Sequence, residues 1–459
     1  MAASELAEKL FEKALLAITA KELSKASSIL VEAIKLKPDF AEAWVIRGNV
    51  RMAQDESFDA ILHYDRALDI NDKLWDCWNN RGIAWSNLAM WHMAEQSFRN
   101  SLEIMPAPEP HMNMANMFCQ MMRLEDAEKE YRACLEYGND DLTAHLNLGI
   151  TLLGQEKWKE GWQHYEARHA NTPYQMKQRR VLPNWTGEDL HGKRIVLYPE
   201  QGLGDEILFM RFASLLKAKG ASRVYLEAMS PLLRLANTLD HIDSVYMKGN
   251  GPYDVADFSC AIMDIPMRLG LEPWSIPHAL KYLSVPREVE RPELGDGLRV
   301  GLCWLSGHRP LQPEARATAA NKSLQLKWLY DLKAIPGVTF YSLQKEHDDH
   351  RLMKEMGIID LMGGMSDLAD TAGLISELEL VISVDTAVAH LAAALGKPTW
   401  NLVRFSGYWP WMRAQTGTVW YPSMRIYRQP QMFNWEPPIK AVMKDLAILA
   451  ERKAQEDAA

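Results

Sequence analysis

The chain has 459 residues, of which 47% are apolar and 24% charged, with a formal net charge of −9. That length suffices for about three ordinary domains, and the balance is that of a globular protein. The acidic excess, without long Lys or Arg runs, argues against a nucleic-acid partner, and no run of about 18 apolar residues exists to span a membrane. The first residues, MAASELAEKLFEKALLAITAKEL, spread their charges at helical spacing where a signal peptide needs an unbroken apolar stretch, so a cytoplasmic location is expected. Cys77, Cys119, Cys134, Cys260 and Cys303 are odd in number and widely spaced. They read as small buried apolar residues, not as a disulfide framework or a zinc site.

The first third repeats. Trp44 and Trp78, Gly48 and Gly82, Ala60 and Ala94, and Tyr64 and Phe98 are each 34 residues apart. Ala26 precedes Ala60, and Leu30 precedes Tyr64, by the same interval, while Pro38 and Pro106 are two periods apart. The pattern W-x3-G-x11-A-x3-(Y/F) is that of the tetratricopeptide repeat. Each unit is a helix–turn–helix in which small residues let two helices approach and aromatics fill the gap between neighbours. A third unit fits with one residue deleted, since Ala127 and Tyr131 follow Ala94 and Phe98 by 33. A fourth carries Gly149, Gly161 and Tyr165, and in all four to five units cover residues 5 to 169. Such an array performs no chemistry, but it offers a surface for a protein or peptide segment.

Residues 170–192 break the repeat with prolines, glycines and mixed charge and read as a linker. Strands and helices then alternate. RIVLYPE (194–200) is a strand, QGLGDE a loop, and ILFMRFASLLKAKG a helix closed by Gly220; SRVYLEA and SVYMKG are further strands. A second alternating series starts at GLRVGLCWLSG (297–307). LQLKWLYDLKAIPG reads as helix, VTFYSLQ as strand, DLADTAGLISEL as a helix capped by Asp367, LELVISV as strand, TAVAHLAAALG as helix and KPTWNLV as strand. The domains expected are therefore repeats over 1–169, a linker over 170–192, and Rossmann-like domains over 193–290 and 291–459. Two such domains facing each other make a cleft at the carboxyl ends of their strands.

Two loops carry candidate chemistry. Gly202-Leu203-Gly204-Asp205 joins a strand to a helix, where glycines permit a tight turn and bring backbone N–H groups to a ligand. Ile207 stands where a dinucleotide fingerprint needs its third glycine, and no Gly-Lys-Ser/Thr follows. Glu227, at the end of the second strand, is a weak candidate for a ribose-binding acid. An acid in a first helical turn, such as Asp205, is by itself most simply a partner of the helix dipole. In the second series Asp385-Thr386 follow a strand and His390 lies one turn later. That helix start, with Thr386, can hold phosphate oxygens, and Asp385 can cap it. Lys322 and Ser323 supply a cation and a donor for a second phosphate contact. Trp400, Trp409, Trp411, Trp420 and Trp435 read chiefly as packing, with one or two near Arg413 and Arg425 at the cleft. His347 and His350 read as a loop rather than a metal site.

QGLGDEILFMRF, GLCWLSG, NKSLQLKWLYDL and VISVDTAVAHLAAALGKPTW together resemble the bacterial heptosyltransferase-like glycosyltransferases. The branch fused to tetratricopeptide repeats is the most similar. It also tends to carry EGWxxYExR, here Glu160 to Arg168, and a W-Y-P-S-x-R-x-(F/Y)-R-Q segment, here Trp420 to Gln429. The resemblance implies a fold of two parts: an α tetratricopeptide superhelix, and an α/β portion of GT-B type with two Rossmann-like domains facing across a cleft. It implies a nucleotide-sugar donor, an inverting transfer without a metal, and no other cofactor. Asp205 matches the family's proposed base; Gly202, Gly204, Lys322, Ser323, Asp385, Thr386 and His390 match its donor and phosphate positions. The loop 308–321 is longer than the family's, and Lys322 stands where arginine is more usual. Some repeat-fused relatives are linked to glycosylation of flagellin or other surface proteins, so a protein acceptor bound by residues 1–169 is the expectation. A repeat scaffold that has lost catalysis, and a transferase acting on lipopolysaccharide or another glycan, are the alternatives.

Overall fold

The computed structural model describes residues 2–138, 141–170, 182–277, 280–307, 322–413 and 416–458. Residues 171–181 of the expected linker and the loop 308–321 lie outside them. The chain forms two compact units, Met1–Thr151 and Leu152–Ala459.

Helices come in pairs along the first third: α1 (Ala2–Thr19) with α2 (Leu23–Leu36), α3 (Ala41–Met52) with α4 (Ser57–Ile70), and α5 (Trp75–Asn87) with α6 (Trp91–Ile104). Next come α7 (Pro108–Gln120) with α8 (Leu124–Glu136), and then α9 (Leu142–Gly154) and α10 (Trp158–Tyr165). The period is written in the backbone too. Lys21, Asp55, Ala89 and Met122, one in each intra-pair turn, and Glu156, between α9 and α10, have left-handed φ of 61°, 62°, 56°, 58° and 62°. Their spacing is 34, 34, 33 and 34 residues, so the turn shows the same single deletion that Ala127 and Tyr131 showed. The repeat tryptophans act alike: Trp44 Nε1 donates to Pro38 O and Trp78 Nε1 to Asp72 O, each at 3.0 Å.

Gly48 and Gly82 are fixed by contact. A Cβ on Gly48 would lie 2.4 Å from Tyr64 Cε1, and one on Gly82 2.5 Å from Phe98 Cε1. Both rings are buried and cannot retreat into solvent. Gly82→Ala adds about 1 kcal/mol of helix propensity but forces an overlap costing about 1–3 kcal/mol. The expected result is net destabilisation, read as an earlier midpoint in urea.

In the second unit, β1 (Arg194–Tyr198), β2 (Arg223–Ala228), β3 (Ser244–Met247) and β4 (Phe258–Ala261) form a parallel sheet of order β3-β2-β1-β4. A second parallel sheet has order β10-β9-β8-β5-β6-β7. Its strands are β5 (Leu298–Cys303), β6 (Val338–Ser342), β7 (Ile359–Asp360), β8 (Leu380–Val384), β9 (Thr399–Val403) and β10 (Met424–Arg428). Val300, Leu302, Ile382 and Val384 build its core with Ile439, Val442 and Leu446 of the helix Glu436–Asp457. In each sheet the chain runs outward one way and then returns to the other side. The order therefore reverses between β1 and β4, and again between β5 and β8. Ligands of open α/β sheets bind outside the carboxyl ends of strands at such points.

Three elements differ from the sequence expectation. Residues 326–334 form a 3₁₀ helix, not an α-helix. Its buried leucines, Leu326, Leu329 and Leu332, recur every three residues, which matches a three-residue turn. The helix expected from Ile207 to Gly220 begins at Leu203, stops at Met210 and resumes over Ala213–Ala218. Arg211 Nε takes the Leu208 carbonyl at 2.9 Å, and Phe212 N bonds instead to Phe209 O. Finally α10, grouped with the repeats by its pattern, belongs to the second compact unit. There Trp162 packs against Phe209 and Trp409, ring centroids 6.1 and 5.6 Å apart.

Candidate functional site

The glycine loop follows β1 at the first reversal point. Gly202 precedes the helix Leu203–Met210, and Asp205 reaches back so that its Oδ2 accepts the Gly202 N–H at 3.0 Å. Its other oxygen, Oδ1, accepts the hydroxyl of Tyr408. The next residue, Glu206, turns the opposite way: it is buried, accepts the Met229 N–H, and burial pushes its pKa up to about 8. Glu206 is thus a structural acid, and Asp205 is the carboxylate left on the open side of the loop.

At the second reversal point the loops after β5 and β8 meet. Lys322 Nζ lies 2.9 Å from Asp385 Oδ2, and the Trp411 indole N–H donates to Asp385 Oδ1 at 3.0 Å. Burial resists the Asp385 charge, but Lys322 overcomes it and holds the carboxyl below its usual range. Asp385 does not cap the helix that follows. Thr386 occupies that position, with its Oγ1 3.0 Å from Ser383 Oγ, because the Asp385 carboxylate is drawn to the lysine. Ser323 Oγ accepts the Ser306 N–H at 3.0 Å and so ties the Lys322 segment to the loop after β5. Lys322 and Ser323 therefore join the Asp385–Thr386 group in one place. Buried Gln344 fixes the start of the β5 loop by accepting the N–H groups of Trp304 and Leu305 at 3.2 and 2.8 Å.

The two reversal points face each other. A Cβ on Gly204 would come within 2.9 Å of His390 Cδ2, so the absence of a side chain there lets the imidazole lie on the glycine loop. Behind the ring, Tyr421 Oη is 3.1 Å from His390 Nδ1. His390 is 3% exposed, and burial lowers its pKa to about 4. The folded value lies below the unfolded one near 6.5, so this ring favours folding above pH 6.5 and the contribution is lost as pH falls towards 4. The window corresponds to about 3 kcal/mol at most. The expected result is that acidification from pH 6.5 to 4 lowers the melting temperature of the wild type more than that of His390→Phe.

All eight residues expected at the site, Gly202, Gly204, Asp205, Lys322, Ser323, Asp385, Thr386 and His390, line these two facing loops. Other candidates do not. Glu227 is occupied by the N–H groups of Gly249 and Gly251 and the Tyr253 hydroxyl, which closes its own turn and leaves no ribose contact. Arg425 pairs with Asp445 of the C-terminal helix. His347 makes tilted ring contacts with Trp304 and His350, with ring centroids 5.6 and 4.7 Å away. Among the described residues the one cluster with the atoms to hold a metal is His169, Glu200 and Asp264, and the Arg168 guanidinium already bonds both of its carboxylates. Tyr408, Tyr421 and Arg211 are site neighbours that sequence reasoning missed, whereas Trp411, which bonds Asp385, is one of the tryptophans near Arg413 expected at the cleft. The W-Y-P-S segment, read only as part of the resemblance, and the tryptophan density, read chiefly as packing, were the available signals.

Residues 341–404, from β6 through β9, match the family described as Glycosyltransferase family 9 (heptosyltransferase). The matched stretch contains Asp385, Thr386 and His390. The chain is 25% identical over 464 residues to Protein FlbA of Caulobacter vibrioides, covering 93% of this chain and 70% of that one. It is 24% identical over 143 residues to the human Protein O-mannosyl-transferase TMTC3, covering 30% of this chain and 16% of that one. It is 29% identical over 147 residues to a UDP-N-acetylglucosamine–peptide N-acetylglucosaminyltransferase of Giardia intestinalis, covering 29% and 10%. The chain thus spans only a small part of those two transferases. Solved structures similar to it include a MamA protein (12% identity, 38% of this chain and 96% of that one, TM-score 0.34). Another is Pseudomonas aeruginosa pilF (15% identity, 47% and 87%, TM-score 0.37). Among the described residues no helix is long and apolar enough to cross a membrane.

Proposed function

We propose, for a chain that joins a tetratricopeptide array to a heptosyltransferase-like family 9 match, that the second unit is a glycosyltransferase. It uses a nucleotide-sugar donor, inverts the anomeric carbon and needs no metal. The observation that carries this reading is the meeting of the two reversal points, with Asp205 on one side and Lys322, Asp385, Thr386 and His390 on the other. The acceptor hydroxyl takes the place now held by the Tyr408 hydroxyl and gives its proton to Asp205. Its oxygen bonds to the anomeric carbon as the bond from that carbon to the diphosphate oxygen breaks, and the electron pair leaves with the nucleoside diphosphate. The Lys322 ammonium and the N–H groups behind Thr386 stabilise that developing charge.

The acceptor is a protein segment selected by the helical repeats. Two relatives whose names describe transfer to proteins or peptides support this. The test is thermal unfolding of the full chain with UDP, GDP, ADP and CMP sugars. A donor at 100 times its Kd should stabilise the fold by about 2.7 kcal/mol. The shift should survive EDTA and disappear in Lys322→Met. No shift with any nucleotide sinks the transferase reading and favours a scaffold; a shift that needs added manganese sinks metal independence.

A further inference from the structure

The hydrogens behind His390 can be counted. Tyr282 Oη lies 2.7 Å from the Ile207 carbonyl, which only accepts, so the single Tyr282 hydroxyl hydrogen is committed there. Arg211, which only donates, reaches the same Tyr282 oxygen at 3.1 Å, and its guanidinium lies 4.5 Å from the centre of the Tyr421 ring. Tyr421 Oη stands 3.1 Å from Tyr282 Oη and 3.1 Å from His390 Nδ1. The hydrogen between the two phenol oxygens can come only from Tyr421. With it there, Tyr421 has none left for the imidazole, and His390 Nδ1 must bring its own. Every group in the chain then has a partner: Nδ1–H to Tyr421, Tyr421 to Tyr282, Tyr282 to Ile207, with Arg211 donating to Tyr282. The other arrangement turns the Tyr421 hydrogen towards His390. It leaves two phenol oxygens 3.1 Å apart with only lone pairs between them, a costly loss where Arg211, Tyr421 and His390 are 5%, 2% and 3% exposed.

A neutral imidazole carries one hydrogen, so with Nδ1 protonated Nε2 is a bare lone pair. That edge of the ring lies against Gly204. Asp385 Oδ1 is 4.0 Å from Nε2, beyond hydrogen-bond reach. Its charge is already met by Lys322 and the Trp411 indole, which weakens its pull on a hydrogen at Nε2. Burial, which holds the pKa near 4, keeps the second proton off.

We propose that His390 presents an unprotonated Nε2 to the crevice and accepts a hydrogen bond there from a carbohydrate-type hydroxyl, rather than donating to a phosphate oxygen. A lone pair beside a phosphate oxygen is repulsive, so the diphosphate falls to Lys322, Ser323 and Thr386. The choice of ligand rests on the transferase reading; the proton count does not. Tyr421 is then a positioning residue that sets the tautomer.

Two measurements on the full chain test this. The first is 15N NMR of the histidine rings, with the His390 signals assigned by their loss in His390→Phe. The expected spectrum shows Nδ1 protonated and Nε2 bare, and Tyr421→Phe, which removes only the hydroxyl, moves the hydrogen to Nε2. A wild-type ring protonated at Nε2 overturns the proposal. The second is calorimetric binding of UDP, GDP and ADP and of their sugar conjugates to wild type and His390→Phe. Affinity for the bare nucleoside diphosphate should be unchanged. A nucleotide sugar weakened about tenfold identifies a donor hydroxyl, whereas an acceptor KM raised about tenfold at unchanged donor affinity identifies the acceptor hydroxyl. Equal weakening of the bare diphosphate overturns the proposal. If wild type binds no nucleotide at all, the transferase reading fails and the NMR result alone decides the tautomer.

Discussion

Asp205→Asn should fold and bind donor as the wild type does, yet lose transfer by a factor of roughly 10²–10⁴, the usual contribution of a positioned general base. The substitution is nearly isosteric, so the helix Leu203–Met210 should form as before. The Asn amide oxygen can still accept either the Gly202 N–H or the Tyr408 hydroxyl, the two bonds that hold the carboxylate. If the amide oxygen keeps Gly202, the NH₂ faces Tyr408, whose hydroxyl can turn to accept it. The structural cost is then a weakened first-turn contact of about 1 kcal/mol or less. An amide, however, takes no proton at neutral pH. Transfer to acceptor and donor-induced thermal stabilisation should be measured together. Wild-type transfer by the variant removes Asp205 as base, and loss of the donor shift as well means that the loop, rather than the proton transfer, was damaged.

The largest stability loss is expected for Arg168→Ala. Arg168 is 7% exposed, and its Nη2 lies 2.9 Å from Glu200 Oε2 while also bonding Asp264. His169 bridges the same two acids, with Nδ1 3.2 Å from Glu200 Oε1 and Nε2 3.0 Å from Asp264 Oδ2. Burial works against the His169 charge, but the bonds to Asp264 and Glu200 win and raise its pKa. Removing the guanidinium leaves two buried carboxylates to share one imidazolium, and breaking a buried pair in this way costs about 3–5 kcal/mol. Urea unfolding should register that loss, and Arg168→Lys should recover part of it.

The effect should extend to the site. Glu200 lies two residues before Gly202, and Gln201 donates to the Tyr165 hydroxyl at 2.6 Å. Loosening Glu200 therefore frees the loop that aims Asp205. Arg168 and Tyr165 both belong to the EGWxxYExR segment. A truncation at residue 169 would strip these supports, whereas one at 151 follows the boundary between the compact units. An unaltered urea midpoint for Arg168→Ala would show that the acids had found another partner or a proton.

What the sequence determined by itself is whatever repeats locally or sits at the end of a strand. A 34-residue period needs no partner to be seen: Gly48 and Gly82 mark where one helix meets an aromatic ring, and the recurring left-handed turns follow from the same spacing. Asp205 and the Asp385–His390 group were legible because a short buried strand, a tight loop and a helix start are adjacent in the chain. The tertiary structure alone decided which distant groups complete them. Tyr408 reaches Asp205 across 203 residues, Arg211 reaches Trp420 across 209, and Arg168 reaches Asp264 across 96. Periodicity reports which face of an element is apolar, but not which other element covers it. It therefore read the tryptophan-rich segment chiefly as packing and placed α10 with the repeats, although the buried charges after α10 are neutralised within the second unit.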